Sequence, residues 1–438
     1  MMIKRRDAVE KASQVLILVF VFVTASRAQV TPTKLTDIPV GISPDPGIVI
    51  NLKDPKNIVV SSAPDRIFYS MDGGAAWKET KITSRFGVRG GMKLISEVKG
   101  GLDIIHYCDA LNPSRTNDRF ILQSSDDKGA TWKEEAVFGN SASKDDKETK
   151  DQTNPSLAIH PKKRILYGVW TQSDKLGLND PNCHSNILYG SWNGGKQWAK
   201  PVQINQNPGD CSGQENAAGG ACIVMDLNEH LYASWSNQGM IYFDRSYDGE
   251  VWLSRDLAIG HPESMALNVP GFGPITSRPA MAVDEAPTKF HGSLYLVYAE
   301  GKKGSIDASV ALIRSTNHGD NWAAPTRFKK PDVLGQQLAP SIAVDQTTGH
   351  IFIACYERRE YEDLKTDVVL FYSKDGGNNF FQTKITATPF TPGVGNRVNP
   401  FTGISAHGGN VAIAWTQIDE DKGSVWTAIV KEADLPYK

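Results

Sequence analysis

Two glutamates and three arginines carry the reactive possibilities of this chain. Glu300 and Glu357 each close an apolar strand, in Tyr298-Ala-Glu300 and Tyr356-Glu357-Arg358. Two carboxylates across one pocket can divide acid and base roles in glycoside hydrolysis, their separation setting the stereochemical course. Arg278, Arg358 and Arg397 come from three separate stretches. Converging guanidiniums can hold an anionic sugar by bidentate pairing. Trp170, Trp235 and Trp415 also end apolar strands, in Trp170-Thr-Gln172, Trp235-Ser-Asn237 and Trp415-Thr-Gln417. An aromatic face can stack on a sugar while the polar neighbour takes a hydroxyl. The competing expectation is structural: an aromatic at a fixed strand position packs between neighbouring sheets. Surface carboxylates and arginines likewise pair with each other, as Glu357 can with Arg358 or Arg359.

The elements that must position these residues recur. The phrase Ser-x-Asp-x-Gly-x-x-Trp appears at Ser70–Trp77 and Ser125–Trp132, with looser copies at Ser191–Trp198, Ser246–Trp252, Ser315–Trp322 and Ser373–Phe380. An apolar strand runs into each copy, Arg66-Ile-Phe-Tyr69 into the first, and a second strand begins near the aromatic. The phrase is a hairpin turn. Ser and Asp accept hydrogen bonds from amides of their own turn, and Gly permits positive φ. Asn193 and Asn317 replace Asp in two copies; Asn keeps the acceptor and loses the charge, so the role is turn closure. The fourth copy is one residue short and is expected to turn differently.

The serines are spaced 55 to 69 residues apart, room for four short antiparallel strands plus loops. First strands such as Pro340-Ser-Ile-Ala-Val344 and second strands such as His350-Ile-Phe-Ile-Ala-Cys-Tyr356 precede most copies, and no helical periodicity is visible. A partial unit follows the sixth copy, with strands at Gly403, Asn410–Trp415 and Ser424–Val430 and no turn phrase. Residues 32–40 are available to complete it and close a ring, removing exposed edges. The expectation is an all-β fold, a seven-bladed β-propeller of four-stranded antiparallel blades, or a six-bladed one if the first unit is incomplete.

Lys4, Arg5 and Arg6, an apolar run from Val15 to Val23, and Ser26-Arg27-Ala28 read as a secretion signal over residues 1–28. Residues 29–438 then form a single domain, without an integral membrane span. Lys and Arg number 47 against 49 Asp and Glu; with no basic stripe, nucleic acid is not an expected partner. One disulfide is expected among Cys183, Cys211 and Cys222, while Cys108 and Cys355 read as buried hydrophobes. The nine histidines show no metal-binding spacing, and neither a metal nor another cofactor is expected. His106 with Tyr107 would suit a polysaccharide lyase, or else His106 ends a strand with its hydrogen bond satisfied.

The turn phrase resembles the Asp box, or bacterial neuraminidase repeat, of sialidase-like β-propellers. Asn205–Cys211, Phe243–Ser246 and Gly408–Trp415 resemble stretches of secreted bacterial propellers of that kind. The resemblance implies that the Asp boxes lie opposite the ligand pocket, so that loops after second strands and before first strands line it. It also implies an arginine triad, here Arg278, Arg358 and Arg397, and a Tyr–Glu nucleophile pair, for which Tyr356 is the nominated tyrosine. The chain departs from the sialidase pattern at Asp65-Arg66-Ile67-Phe68, where the family carries a Pro after Arg-Ile. The functional expectation is a secreted monomer recognising an extracellular glycan, with glycoside hydrolysis, exo-sialidase activity and purely non-catalytic binding of a glycan or protein left open.

Overall fold

The computed structural model describes residues 30–38, 45–139, 149–195, 198–302, 305–329, 335–359, 363–393, 400–419 and 422–436. The expected leader and Arg397 lie outside the described residues. Among the described residues there are strands and one 3-10 turn at Glu432–Asp434, but no α-helix. Among the described residues no helix is long and apolar enough to cross a membrane.

The strands gather in chain order into groups of four, all antiparallel within a group. Sheet 1 is Gly47–Ile50, Ile58–Ser62, Arg66–Ser70 and Lys78–Lys81. Sheet 2 is Lys93–Ser96, Leu102–Tyr107, Arg119–Ser125 and Lys133–Gly139. Sheet 3 is Asp151–Ile159, Leu166–Ser173, Ser185–Trp192 and Val202–Gln203. Sheet 4 is Gly219–Met225, Leu231–Asn237, Met240–Ser246 and Leu257–Gly260. A hairpin, Ala266–Val269 with Gly273–Thr276, comes next. Sheet 5 is Ala280–Val283, Leu294–Gly301, Ala308–Ser315 and Thr326–Arg327. Sheet 6 is Gln336–Asp345, His350–Arg358, Asp367–Ser373 and Phe381–Lys384, touching sheet 5 through one parallel bridge from Ala308 to Gln336. Sheet 7 takes Thr402–His407, Asn410–Asp419 and Lys422–Lys431 from the end of the chain. Its fourth strand is Thr33–Ile38, from the beginning, with Lys34 opposite Trp426 and Asp37 opposite Ser424. The strand missing from the last unit is supplied by the segment expected to supply it.

Strand side chains alternate between faces, and here both faces are covered. Every residue of Leu294–Gly301 and of Leu231–Asn237 is buried. The apolar clusters join consecutive sheets, and the largest joins sheets 5, 6 and 7 with the 266–276 hairpin. Ile104 meets Val59 and Ile67 between sheets 2 and 1. Trp170 joins Phe120 and Leu122 between sheets 3 and 2, and Trp235 joins Val169 and Ile187 between sheets 4 and 3. One cluster, with Ile50, Val60, Phe68, Ala412, Ala414 and Val425, joins the last sheet to the first.

The turn phrases fasten these layers. In the first, the Ser70 hydroxyl donates to Asp72 Oδ1 at 2.8 Å and accepts Gly74 N–H at 2.8 Å. Asp72 Oδ1 also accepts Ala76 N–H at 2.9 Å, and Trp77 Nε1 donates to Gly74 O at 3.1 Å. The amide bonds and the Ser70 hydroxyl hold the Asp72 carboxyl below its ordinary range. Asn317 makes the same contacts from Ser315 and Asn321, as expected of a turn-closing group. In the shorter fourth copy Gly249 N–H reaches Ser246 Oγ one residue early, and Asp248 Oδ1 takes Glu250 and Val251. In the third, Trp192 donates its indole N–H to the turn, at Gly195 O. Trp77 and Trp132 are only partly buried. The close inter-sheet contact falls to the glycines: a Cβ on Gly74, at φ +92°, would lie 2.5 Å from Ile429 of sheet 7.

Candidate functional site

In each antiparallel sheet the turns after strands one and three share one end, and the Asp boxes occupy it. At the opposite end the first strands begin, and there the backbone is irregular. The first strands of sheets 3, 4 and 6 shift register between Thr153 and Ser156, Gly219 and Cys222, and Leu338 and Ser341. Asn154, Gly220 and Ala339 have positive φ at these bulges, as do Asp45 and Gly91 ahead of the first strands of sheets 1 and 2. Bulges re-aim side chains and commonly sit beside binding sites.

Here they assemble one polar cluster from five segments. Arg278, just ahead of sheet 5, is exposed and lays its stem over Gly220, where a Cβ would lie 2.7 Å from its Cγ. The guanidinium thereby crosses sheet 4 and donates to Asn154 Oδ1 on sheet 3. Asn154 N–H donates to the Tyr107 hydroxyl at 2.8 Å. The Tyr107 ring lies against Gly91, where a Cβ would be 1.9 Å from Cε2. Burial pushes the Tyr107 phenol up to about 12, with Asp45 raising and Arg278 lowering it. The phenol therefore stays protonated at neutral pH and can donate to an oxygen. Lys93 Nζ pairs with Asp45 Oδ1 at 3.2 Å.

Of the arginines, glutamates and tryptophans singled out in the sequence, Arg278 is in this cluster. Trp170, Trp235 and Trp415 have no exposed surface. Trp170 donates to Gln152 Oε1 at 2.7 Å and packs edge-on against Phe138, while Trp235 and Trp415 stack on Tyr242 and Trp426. They are inter-sheet packing, and no sugar reaches them. Tyr356 is also fully buried, donating to Phe401 O and Thr416 O and accepting Thr416 N–H. Burial raises its phenol, and backbone groups of Phe401 and Thr416 occupy its hydroxyl, so it faces no open pocket.

Arg358 is 1% exposed. It donates to Pro270 O at 2.7 Å, Gln336 Oε1 at 3.2 Å and Thr366 Oγ1 at 3.0 Å, and lies over Phe272. It anchors the 266–276 hairpin against sheet 6 and is not available to a ligand. Glu300 and Glu357 do stand at equivalent registers, the same distance along from Leu294 and Ile351, which pair with Ser315 and Ser373. The same alternation sends Glu300 into the cleft between sheets 4 and 5 and Glu357 into that between sheets 5 and 6. Sheet 5 separates them, so they do not form one acid–base pair. Glu300 is tied to Arg327, and Glu357 to Gln337, Gln382 and Arg359.

Two concavities open at this end. One of about 350 Å³ is bounded by Lys150, Asp174, Lys175 and Asp180, and Cys183 on its wall is bonded to Cys211. The other, about 320 Å³, contains Glu357 with Asp367, Arg359 and Lys384. Glu357 and Asp367 are direct cross-strand partners. Loops before first strands were expected to line the pocket, and Asn154 and Arg278 lie there; Tyr107 was weighed only as a partner of His106. The sequence reading missed Asp367, Lys93 and Asp45, because the bulges that gather the cluster carry no shared motif.

No family model matches the sequence, and no curated protein matches it. Solved structures do match in shape. A GH93 α-L-arabinofuranosidase of Fusarium graminearum, solved with arabinobiose, aligns at TM-score 0.52 and 13% identity over 92% of this chain and 98% of that one. A Penicillium chrysogenum α-L-arabinanase aligns at 0.47 and 13% over 92% and 100%. A Hadza microbial sialidase, Hz136, aligns at 0.47 and 11% over 87% and 74%. The chain is similar in fold to the GH93 arabinofuranosidase. At these identities the likeness concerns fold alone.

Proposed function

We propose that the seven sheets form a closed seven-bladed propeller whose mouth binds an extracellular glycan bearing a carboxylate. Closure is supported by Thr33–Ile38 completing sheet 7 and by the cluster joining sheet 7 to sheet 1. With the last sheet completed from within the chain and only short outer strands at the edges, the protein acts as a monomer. The Cys183–Cys211 bond fits an oxidising, extracytoplasmic compartment. The arabinobiose complex of the similar arabinofuranosidase supports a sugar as the ligand class.

The observation that carries the reading is Arg278. Its exposed guanidinium bonds to a neutral amide and forms no ion pair among the described residues. Asn154 and Tyr107 fix its position, so its remaining donors are preorganised for a carboxylate, while the Tyr107 hydroxyl and the Lys93–Asp45 pair offer partners for sugar hydroxyls. A glycan array of neutral and acidic oligosaccharides tests this. Wild type binds acidic glycans, and Arg278→Ala weakens them at least tenfold without altering its melting temperature. Equal binding by Arg278→Ala removes the reading.

A hydrolytic activity is favoured by one observation, the cross-strand Glu357 and Asp367 carboxylates lining one concavity of about 320 Å³. Released-sugar assays on the array hits decide it. Turnover lost in Glu357→Gln with binding retained supports hydrolysis; no turnover by wild type leaves a binding protein.

A further inference from the structure

On the opposite, Asp-box end, three side chains from two sheets converge. Asp226 and His230 flank the turn between the first two strands of sheet 4, and His318 lies in the fifth Asp box, on sheet 5. Asp226 is 1% exposed, and its Oδ1 is committed to the amides of Asn228 and His230 at 2.9 and 2.8 Å. Its Oδ2 faces inward to three groups: His230 Nδ1 at 2.8 Å, the Tyr232 hydroxyl at 2.8 Å and His318 Nδ1 at 3.9 Å. The Tyr232 hydroxyl is itself 3.0 Å from His318 Nδ1. The ligand atoms of Asp226, His230 and His318 all lie within 4.8 Å of one another.

We propose that Asp226, His230 and His318 bind one divalent transition-metal ion of the zinc class, with the Tyr232 hydroxyl beside it. Two imidazole nitrogens and a carboxylate oxygen are the donor set such ions select. Around an ion with bonds of about 2.0 Å, donor atoms stand about 3.3 Å apart. The separations of 2.8 and 3.9 Å from Asp226 Oδ2 bracket that spacing, and all three donor atoms already lie within 4.8 Å. The sequence reading expected no metal because the second histidine comes from another sheet.

Three further features favour a cation. His230 and His318 side chains are 26% and 43% exposed, which leaves a path for the ion. Gly292 leaves room for the His318 ring, since a Cβ there would lie 2.9 Å from Cε1. Glu285 accepts Leu227 N–H at 3.0 Å through Oε2, and its buried Oε1 has no hydrogen-bond partner. That carboxyl acts electrostatically on both Asp226 and Tyr232. The ion would join sheet 4 to the Asp-box turn of sheet 5 and stabilise the folded state by mass action.

Untagged protein freed of metal with a chelator and titrated with Zn²⁺ tests the site. Binding of one equivalent is expected, with a rise in melting temperature. His230→Gln and His318→Asn should each weaken binding at least tenfold and abolish the rise; Asn suits the positive φ of His318. X-ray absorption of the wild-type 1:1 complex should show two imidazole ligands, independently of how the variants fold. No stoichiometric Zn²⁺ binding, binding unchanged in the double variant, or a spectrum without imidazole overturns the proposal.

Discussion

Arg278 and Arg358 share a residue type and have opposite circumstances. Arg358→Ala is expected to lose about 2–4 kcal/mol of stability, because it strands Pro270 O and the buried Gln336 and Thr366 side chains. Arg358→Lys should not restore it, since an ammonium cannot reproduce the planar fork. Chemical denaturation checks both, with Arg278→Ala as the unaffected control. Asp244 offers a pH test. Its Oδ1 accepts Arg245 and Leu253 amides while Oδ2 is buried without a partner, and burial raises the carboxyl to about 7. A folded-state value above the unfolded value of 3.8 means that the folded protein holds the proton more tightly. That contribution is fully present below pH 4 and is lost as pH rises to about 7. Asp244→Asn is expected to flatten the decline in stability across that window, as measured by melting at successive pH values. The sequence displayed these residue types but not their directions. A single-residue difference along a strand decides whether a side chain enters a cleft, the core or solvent, and Tyr356 beside Glu357 shows it.

At the scale of the element, the Asp boxes were legible because their chemistry is local. Ser, Asp and Gly satisfy amides within a few residues, so spacing alone specifies the turn. The glycine also has a long-range duty that spacing does not show. Gly74→Ala is expected to cost about 2 kcal/mol, from positive φ and from displacement of Ile429; equilibrium unfolding measures it. Trp77 and Trp132, by contrast, remain partly exposed. The bulges at Asn154, Gly220 and Ala339 were not legible, because they depend on pairing with the second strand and carry no shared motif. The candidate site rests on them, which is why Asp45 and Lys93 were missed and why the contact of Arg278 with Asn154 and Tyr107 could not be read, while the strands around it were found.

At the scale of the whole molecule, the first and last strands of the described chain share one sheet. Removing residues 30–38 exposes the edge of Lys422–Lys431. The truncated protein is expected to unfold less cooperatively and to associate, which calorimetry and light scattering would show. The Cys183–Cys211 bond closes a loop with a sequence separation of 28. Its reduction should cost about 3–4 kcal/mol on chain-entropy grounds. The completion of the last unit by residues near 32–40 was readable from the count of strands, since an unpaired final unit demands a partner. The path of the 266–276 hairpin across to Arg358 was not readable, because no local pattern encodes which distant sheet a hairpin meets.

The central claim is that recognition occurs at the irregular ends of the first strands, opposite the Asp boxes. Hydrogen–deuterium exchange with and without the strongest acidic glycan from the array tests it most directly. Protection is expected at 91–93, 151–156 and 277–280, with exchange at the six Asp boxes unchanged. Protection confined to the Asp boxes, with none around Asn154 and Arg278, would contradict the account.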